Sequence, residues 1–466
     1  MNNVSPVLKR VNKSSAFFPK NQKNAYLWYR YPDTIYRINI NQLFIMKKLI
    51  STLAGLAMAG LTVLAAEVWP DGTKMDKWFI SAPAKLSGAE AVRYVVTDYG
   101  VVRDSTVLQT EAIQKVIDLA AEKGGGTVVI PQGTFLTSSL FFKSKTHLYL
   151  EKGAVLKGSD DVSDYAIVPV HIEGVIQRYI AALVNAYECD GFSIRGEGVI
   201  DGNGLRYWRD FWTRRRVNPM CTNLEALRPR LFYAANSKNV LLEGVTLRNP
   251  GFWTTHFYKC DFVRVKDIVI FAPQKPIPAP SSDGVDVDGC NNFHITGCRF
   301  QNSDDLIAIK GGKGPWADQD PANATNSNIL VENCWFGPGS AMVTFGSECV
   351  GGRNIILRNC VGAGPSRVLW LKMRPDTPQN YEYILVENIT GTVGNFFYVH
   401  PWTQFFDLKG REDIPKSYGS HILMRNCDVI CTRKPIDVVE KPEEFELSDI
   451  VYENIKIDDQ SPQNRR

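Results

Sequence analysis

Apolar and polar residues in this chain alternate over short stretches and seldom recur at helical spacing. From Val240 onward, apolar segments open at Val240, Val263, Phe293, Ile329, Ile355, Ile384, Ile422 and Ile450, at intervals of 23 to 38 residues. Each reads as a short strand, a polar kink and a second strand, as in NILVENCWF, NIILRNCVG, YILVENITG and HILMRNCDV. Self-similarity at this period marks a repeat architecture. The unit is too short for a four-stranded propeller blade and lacks the helix of a leucine-rich or ankyrin unit. The pattern therefore predicts an all-β chain wound as a right-handed parallel β-helix, with strands of successive coils stacked about 4.8 Å apart. Cys334, Cys360 and Cys427 share one place in the repeat and are expected to form an inward stack.

One segment has clear helical spacing. TEAIQKVIDLAAEKGGG (110–126) sets Ile113, Val116, Ile117 and Ala120 on one face and stops at Gly124–Gly126. A stack of coils leaves open edges that invite aggregation. The helix lies just before the first coils and is expected to cap that end. The longer insertions at 202–230 and 311–326 are expected to wall a groove, a shape that suits a polymeric ligand.

A length of 466 residues exceeds a typical compact domain, and 44% hydrophobic with 22% charged residues fits a soluble protein with a substantial core. From Met46 the chain reads MKKLISTLAGLAMAGLTVLAAEVWPDG: Lys47 and Lys48, an apolar run from Leu49, then small residues around Ala65 and Ala66. That is the build of a secretory signal peptide. The rival, a membrane anchor, would need a longer run with a basic flank after it. Residues 1–45 are then an extension from a start codon assigned too far upstream, 46–66 the signal peptide, and 67–466 a single β-helix domain, secreted or periplasmic.

Residues 1–66 hold nine of the 53 Lys and Arg and one of the 49 acidic residues, so the formal +4 mostly describes the leader. No basic run points to nucleic acid, and the cluster Arg214–Arg216 reads as a solvated loop. The ten cysteines all lie beyond residue 188 without a zinc-type spacing. None directly follows the cleavage site, so no membrane anchor is expected. Disulfides and buried free thiols remain open alternatives.

The chemistry lies in two acidic segments. SSDGVDVDG (281–289) precedes QNSDDLIAIKGG (301–312), with Asp283 21 residues before Asp304, about one coil. Asp283 is therefore expected on the rung next to Asp304 and Asp305. Side chains on adjacent rungs lie about 5 Å apart when opposed and about 7–8 Å on the diagonal. An inverting glycosidase needs its acid and base roughly 6.5–9.5 Å apart, with a water between them. Repulsion among three carboxylates raises the pKa of at least one, which can then carry a proton near neutral pH. Strict alternation would point Asp304 and Asp305 to opposite faces, so a kink at Asn302 and Ser303 is required.

From about residue 94 onward the chain resembles glycoside hydrolase family 28, the polygalacturonases and rhamnogalacturonan hydrolases. YVVTDYGVVRDSTVLQTEAIQKVID is similar to its opening strand and cap helix, SSDGVDVDG to its NTDG-x-D segment, and NSDDLIAIKGG to its DD segment. The resemblance implies a right-handed β-helix, a pectic substrate, no metal or organic cofactor, and a monomer. It also implies Asp304 as general acid, with Asp283 and Asp305 activating water. Departures bear on specificity. Ser340, Ala341 and Met342 stand where the family has GHG, and Trp370, Leu371 and Lys372 where it has RIK. Arg367 and Arg374 flank Trp370 and are expected to compensate for the missing arginine. An indole offers one donor and a stacking face where arginine offers a two-pronged fork, so Trp370 suits a less charged sugar face. The substrate is then a mixed pectic chain as readily as galacturonan.

The resemblance also places Trp253, His256 and Lys310 at the substrate; a core tryptophan and a satisfied histidine are the alternatives for the first two. His400 and Trp402 read as structural. Two rival functions remain: a calcium-dependent pectate lyase using Asp283, Asp286, Asp288, Asp304 and Asp305 as oxygen ligands, and a β-helical protein that binds glycans without turnover.

Overall fold

The computed structural model describes residues 26–31, 34–39, 68–80 and 92–464. The chain divides into units of residues 1–67 and 68–466. In the first, Tyr26–Tyr31 and Thr34–Asn39 pair as an antiparallel hairpin; the expected signal peptide at 46–66 lies outside the described residues. No helix among the described residues is long and apolar enough to cross a membrane.

The second unit winds as a parallel β-helix with sheets of 12, 11 and 10 parallel strands. Each coil gives one strand to each sheet; Asn326–Glu332, Trp335–Phe336 and Val343–Phe345 form one such coil. The eight apolar positions that open the repeats stack in a single unbroken column from Val240 to Ile450. All but Ile450 are fully buried. Burying each such side chain contributes about 1.5–3 kcal/mol, and a one-residue slip would turn the whole column outward. Register is thus set by the repeat itself.

The polar kink has a definite conformation. Asn333, Asn359, Asn388, Asn426 and Asn454 all take positive φ, between 49° and 57°, a region asparagine tolerates better than most residues. Asn388 Nδ2 donates to Asn359 Oδ1 and Asn454 Nδ2 to Asn426 Oδ1, both at 2.9 Å. Two residues before each of three cysteines, a backbone carbonyl accepts the thiol: Cys334 to Glu332, Cys360 to Arg358 and Cys427 to Arg425. All ten cysteines are buried and free.

Thr110–Glu122 is the cap helix and packs Ile113, Val116, Ile117 and Ala120 against the first strands. Two elements differ from the sequence expectation. Leu205–Val217 is a further helix, so Arg214–Arg216 form its last turn and not a solvated loop; Tyr207, Trp208 and Phe211 supply its buried face. Ile167–Ile172 and Val175–Ile180 form an antiparallel hairpin laid against the β-helix. Periodicity missed the helix because its apolar face is narrow, set among six charged residues within its own thirteen.

Candidate active site

The ten-stranded sheet turns Phe257, Val287, Ile309, Phe345, Leu371 and Val399 inward as one column. The pleat sends their neighbours outward. One outward column is His256, Asp286, Ala308, Thr344, Trp370, Tyr398. A cleft of about 460 Å³ opens over this face.

Asp283, Asp304 and Asp305 all line it. The Gly284 N–H donates to the Asp305 carbonyl at 2.9 Å, so Asp283 and the acidic pair stand on adjacent rungs. A Cβ on Gly284 would lie 2.4 Å from the Leu306 carbonyl oxygen; glycine is what allows this close approach. The required kink is present as a bend before strand Ile307–Lys310. Asn302 ties it: its Oδ1 accepts from the Asp304 N–H at 3.0 Å and its Nδ2 donates to the Asp305 carbonyl at 2.9 Å.

The three carboxyls have distinct surroundings. Asp305 is fully buried and accepts from Lys372 Nζ at 2.8 Å and Thr344 Oγ1 at 2.7 Å. Burial pushes Asp283 up to about 6, opposed by Lys310, whose Nζ stands 3.4 Å away, and reinforced by Asp305. Burial, then Asp283 and Asp305, push Asp304 well above the carboxylate range. Asp286, buried beneath, is pushed well up by the same burial and by Asp283. Lys310 also pairs with Glu348 at 3.1 Å. Burial works against ionisation of Glu348, but Lys310 holds it well below its ordinary value. A protonated carboxyl beside ionised ones in one cleft can give a proton and accept another from the same bound molecule.

Trp253, Trp370, Lys310 and Lys372 line the cleft as expected, and Trp402, read as structural, lines it as well. Lys372 Nζ lies 4.2 Å from the Trp370 ring and 4.8 Å from that of Trp402. Three expected substrate residues lie elsewhere. His256 is fully buried beneath the 167–180 hairpin: its Nε2 meets Asp288 at 2.9 Å and its Nδ1 accepts from Arg230 at 2.6 Å. Arg374 makes a buried two-pronged pair with Asp376, both contacts at 2.7 Å, and so does not compensate for the missing arginine. Arg367 stacks against the Trp370 ring at 3.9 Å and stays outside the cleft lining. Glu173 at the hairpin tip, Phe211, Trp212, Arg215 and Asn223 from the 202–230 insertion, and Glu348 also line the cleft; sequence reasoning missed them. The 202–230 insertion forms a wall as expected, whereas the 311–326 loop contributes no lining residue.

Among the described residues, His171, His256 and Asp288 form the one cluster of metal-ligating type. Their facing atoms are hydrogen-bonded to each other at 2.6 and 2.9 Å, and burial with the Arg230 guanidinium pushes His256 down to about 3. Burial opposes the charged form of His171, but Asp288 raises it above its ordinary value, so the network pairs a histidine favouring its charged form with a neutral one, and it fixes the hairpin to the sheet.

The model of Glycosyl hydrolases family 28 matches residues 127–360. A probable polygalacturonase of Vitis vinifera is 28% identical over 268 residues, 55% of this chain and 52% of its own length. An exo-poly-alpha-D-galacturonosidase of Dickeya chrysanthemi is 28% identical over 314 residues, 57% and 50% of the two chains. The chain thus spans about half the length of these relatives. In fold it is similar to a hyperthermoactive exopolygalacturonase of Thermotoga maritima, with a TM-score of 0.60, 21% identity, and 78% and 91% of the chains covered. A polygalacturonase of Erwinia carotovora ssp. carotovora gives a TM-score of 0.56 at 19% identity, covering 80% and 98%.

Proposed function

Since the chain belongs to the glycosyl hydrolases of family 28, we propose that it hydrolyses O-glycosidic bonds of a pectic polysaccharide, galacturonan or rhamnogalacturonan, with inversion at the anomeric carbon. The observation that carries this reading is the meeting of Asp283, Asp304 and Asp305 on adjacent rungs of one cleft, with Asp304 pushed well toward its protonated form.

In this reading Asp304 delivers its proton to the leaving glycosidic oxygen. Asp283 and Asp305 hold a water on the opposite side of the sugar and take up its proton as it attacks. Lys372 keeps Asp305 in place and Lys310 does so for Asp283. Of the cleft tryptophans, Trp402 keeps a partly exposed ring on which a sugar can stack, while Trp253 and Trp370 are buried with cations over their rings. Every group named comes from one chain, in keeping with a monomer, and the segment from Met46 supports an exported enzyme that meets its polymer outside the cell.

The calcium-lyase alternative is weaker on electrostatic grounds. A hard cation needs ionised oxygen ligands, and here Lys310 and Lys372 already neutralise the cluster while Asp283, Asp286 and Asp304 are pushed toward neutrality. The test is product profiling on homogalacturonan and rhamnogalacturonan side by side. Saturated products whose new reducing end is inverted in the first NMR spectra are expected. Unsaturated, ultraviolet-absorbing products that vanish with a chelator would replace hydrolysis by elimination, and no turnover of either polymer would favour plain glycan binding.

A further inference from the structure

The cations that line the cleft are unequally engaged. Lys310 is shared by Glu348, Asp283 and Asp286, and Lys372 is held by Asp305. Among the described residues, Arg215 is the cleft-lining cation with no carboxylate in ion-pair contact. Its Nη2 donates weakly to Asn223 Oδ1 at 3.3 Å, and its Nε has no partner. Its neighbour Arg214 is occupied by Asp210 at 2.8 Å.

The guanidinium stands on a rigid support. The helix Leu205–Val217 buries Tyr207, Trp208 and Phe211, and Trp208 Nε1 donates to the Pro250 carbonyl at 2.8 Å. One turn before Arg215, Trp212 Nε1 donates to the Pro278 carbonyl at 2.8 Å. The Arg215 Cζ lies 5.1 Å from the Phe211 ring, and Asn223, which steadies its fork, is itself fixed to Glu173 at 2.8 Å. A planar fork held this way matches a carboxylate with two parallel hydrogen bonds at little cost in ordering.

We propose that Arg215 is a specificity-determining residue, which holds the carboxylate of a uronic acid unit seated on the N-terminal side of the Asp283, Asp304 and Asp305 cluster. The helix enters between strands Val199–Asp201 and Phe232–Ala235, before the carboxylates in coil order, whereas Trp370 and Trp402 follow them. The carboxylate-binding fork that Trp370 cannot supply is thus provided from the opposite wall. The inference rests on the hydrolase reading of the same cleft.

The experiment compares wild type, R215K and R215Q on the pectic oligosaccharide turned over fastest and on its carboxyl-reduced form. R215Q is expected to raise KM for the acidic form about 10- to 100-fold, the range of one charged hydrogen-bonded pair, with kcat within about threefold. R215K should recover part of the loss. Wild type should lose a similar factor when the substrate is reduced, and R215Q should lose nothing further. An equal loss on both substrates, or none on the acidic one, overturns the assignment. Calorimetric binding of the acidic oligosaccharide to D304N and to D304N/R215Q reads the same contact without turnover. If D304N remains active, the hydrolase reading fails, while the binding difference still decides Arg215.

Discussion

Lys310 and Lys372 stand two rungs apart in one outward column of the ten-stranded sheet, with Gly346 between them, and each is matched to a different cleft carboxylate. Gly346 keeps the column open: a Cβ there would come within 3.1 Å of the Lys372 side chain. The two lysines divide the task of compensating a site crowded with acid.

Replacing Lys310 by Met is therefore expected to strand Glu348, Asp283 and Asp286. Removing one member of a buried ion pair typically costs 3–5 kcal/mol, roughly, because a charge is left uncompensated. The carboxyls can escape by taking up protons, so the drop in melting temperature should be smaller at about pH 5 than at about pH 8. A drop of equal size at both would mean that Lys310 acts through packing alone.

Asp304→Asn removes a carboxyl that its burial and its acidic neighbours incline strongly to hold a proton. The expected loss in kcat is about 10²- to 10⁴-fold, the usual share of general acid catalysis. Stability should move the other way. The native state favours the protonated carboxyl, so this group's stabilising contribution is full at low pH. It fades as pH climbs above the unfolded carboxylate value, by at most about 1.4 kcal/mol per pH unit. Asparagine has no such proton to keep, and the variant's melting temperature relative to wild type should rise from about pH 5 to about pH 8. Unchanged kcat in D304N would remove Asp304 from the chemistry.

The pH dependence of kcat/KM follows from the same cluster. In the proposed mechanism Asp283 must be ionised to accept a proton from water, and burial pushes it up to about 6. Activity is expected to rise with pH through about 6 and to fall again at higher pH as Asp304 is deprotonated. In K310M the rising limb should shift to higher pH, since Lys310 draws the Asp283 value down. A rising limb near the ordinary carboxylate value would show that Asp283 is not the group being titrated.

Gly284→Ala tests the rung contact itself. The added methyl meets backbone, not a yielding side-chain tip, so Asp283 and Asp305 must be forced apart. Loss of most kcat together with about 1–3 kcal/mol of stability is expected from such overpacking, measured by kinetics and chemical denaturation. Near wild-type kinetics would show that the spacing of these rungs is not critical.

How far the sequence reached follows from where each signal lies. The apolar column from Val240 to Ile450 repeats at every coil, so the coils and even their register could be read from it. The carboxylates were legible because Asp283 and Asp304 lie one coil apart, and the bend at Asn302 and Ser303 could be demanded from alternation. For His256 the resemblance pointed to the substrate, whereas the alternative of a satisfied histidine is what the structure holds; the hairpin that covers it leaves no period in the sequence. Arg374 was misplaced because its partner, Asp376, is local and removes it from the cleft. Glu173, Trp212 and Arg215 sit on insertions, where no repeat exists to predict what faces the cleft.

The insertion at 202–230 carries one further consequence. The ladders on either side of it run on unbroken, from Val199–Asp201 to Thr246–Arg248 and from Phe232–Ala235 to Thr255–Tyr258. Descent could therefore trade one such appendage for another of different length or charge while the reacting trio stayed where it was. Choice of ligand and the carboxylate cluster would then be inherited as separable parts.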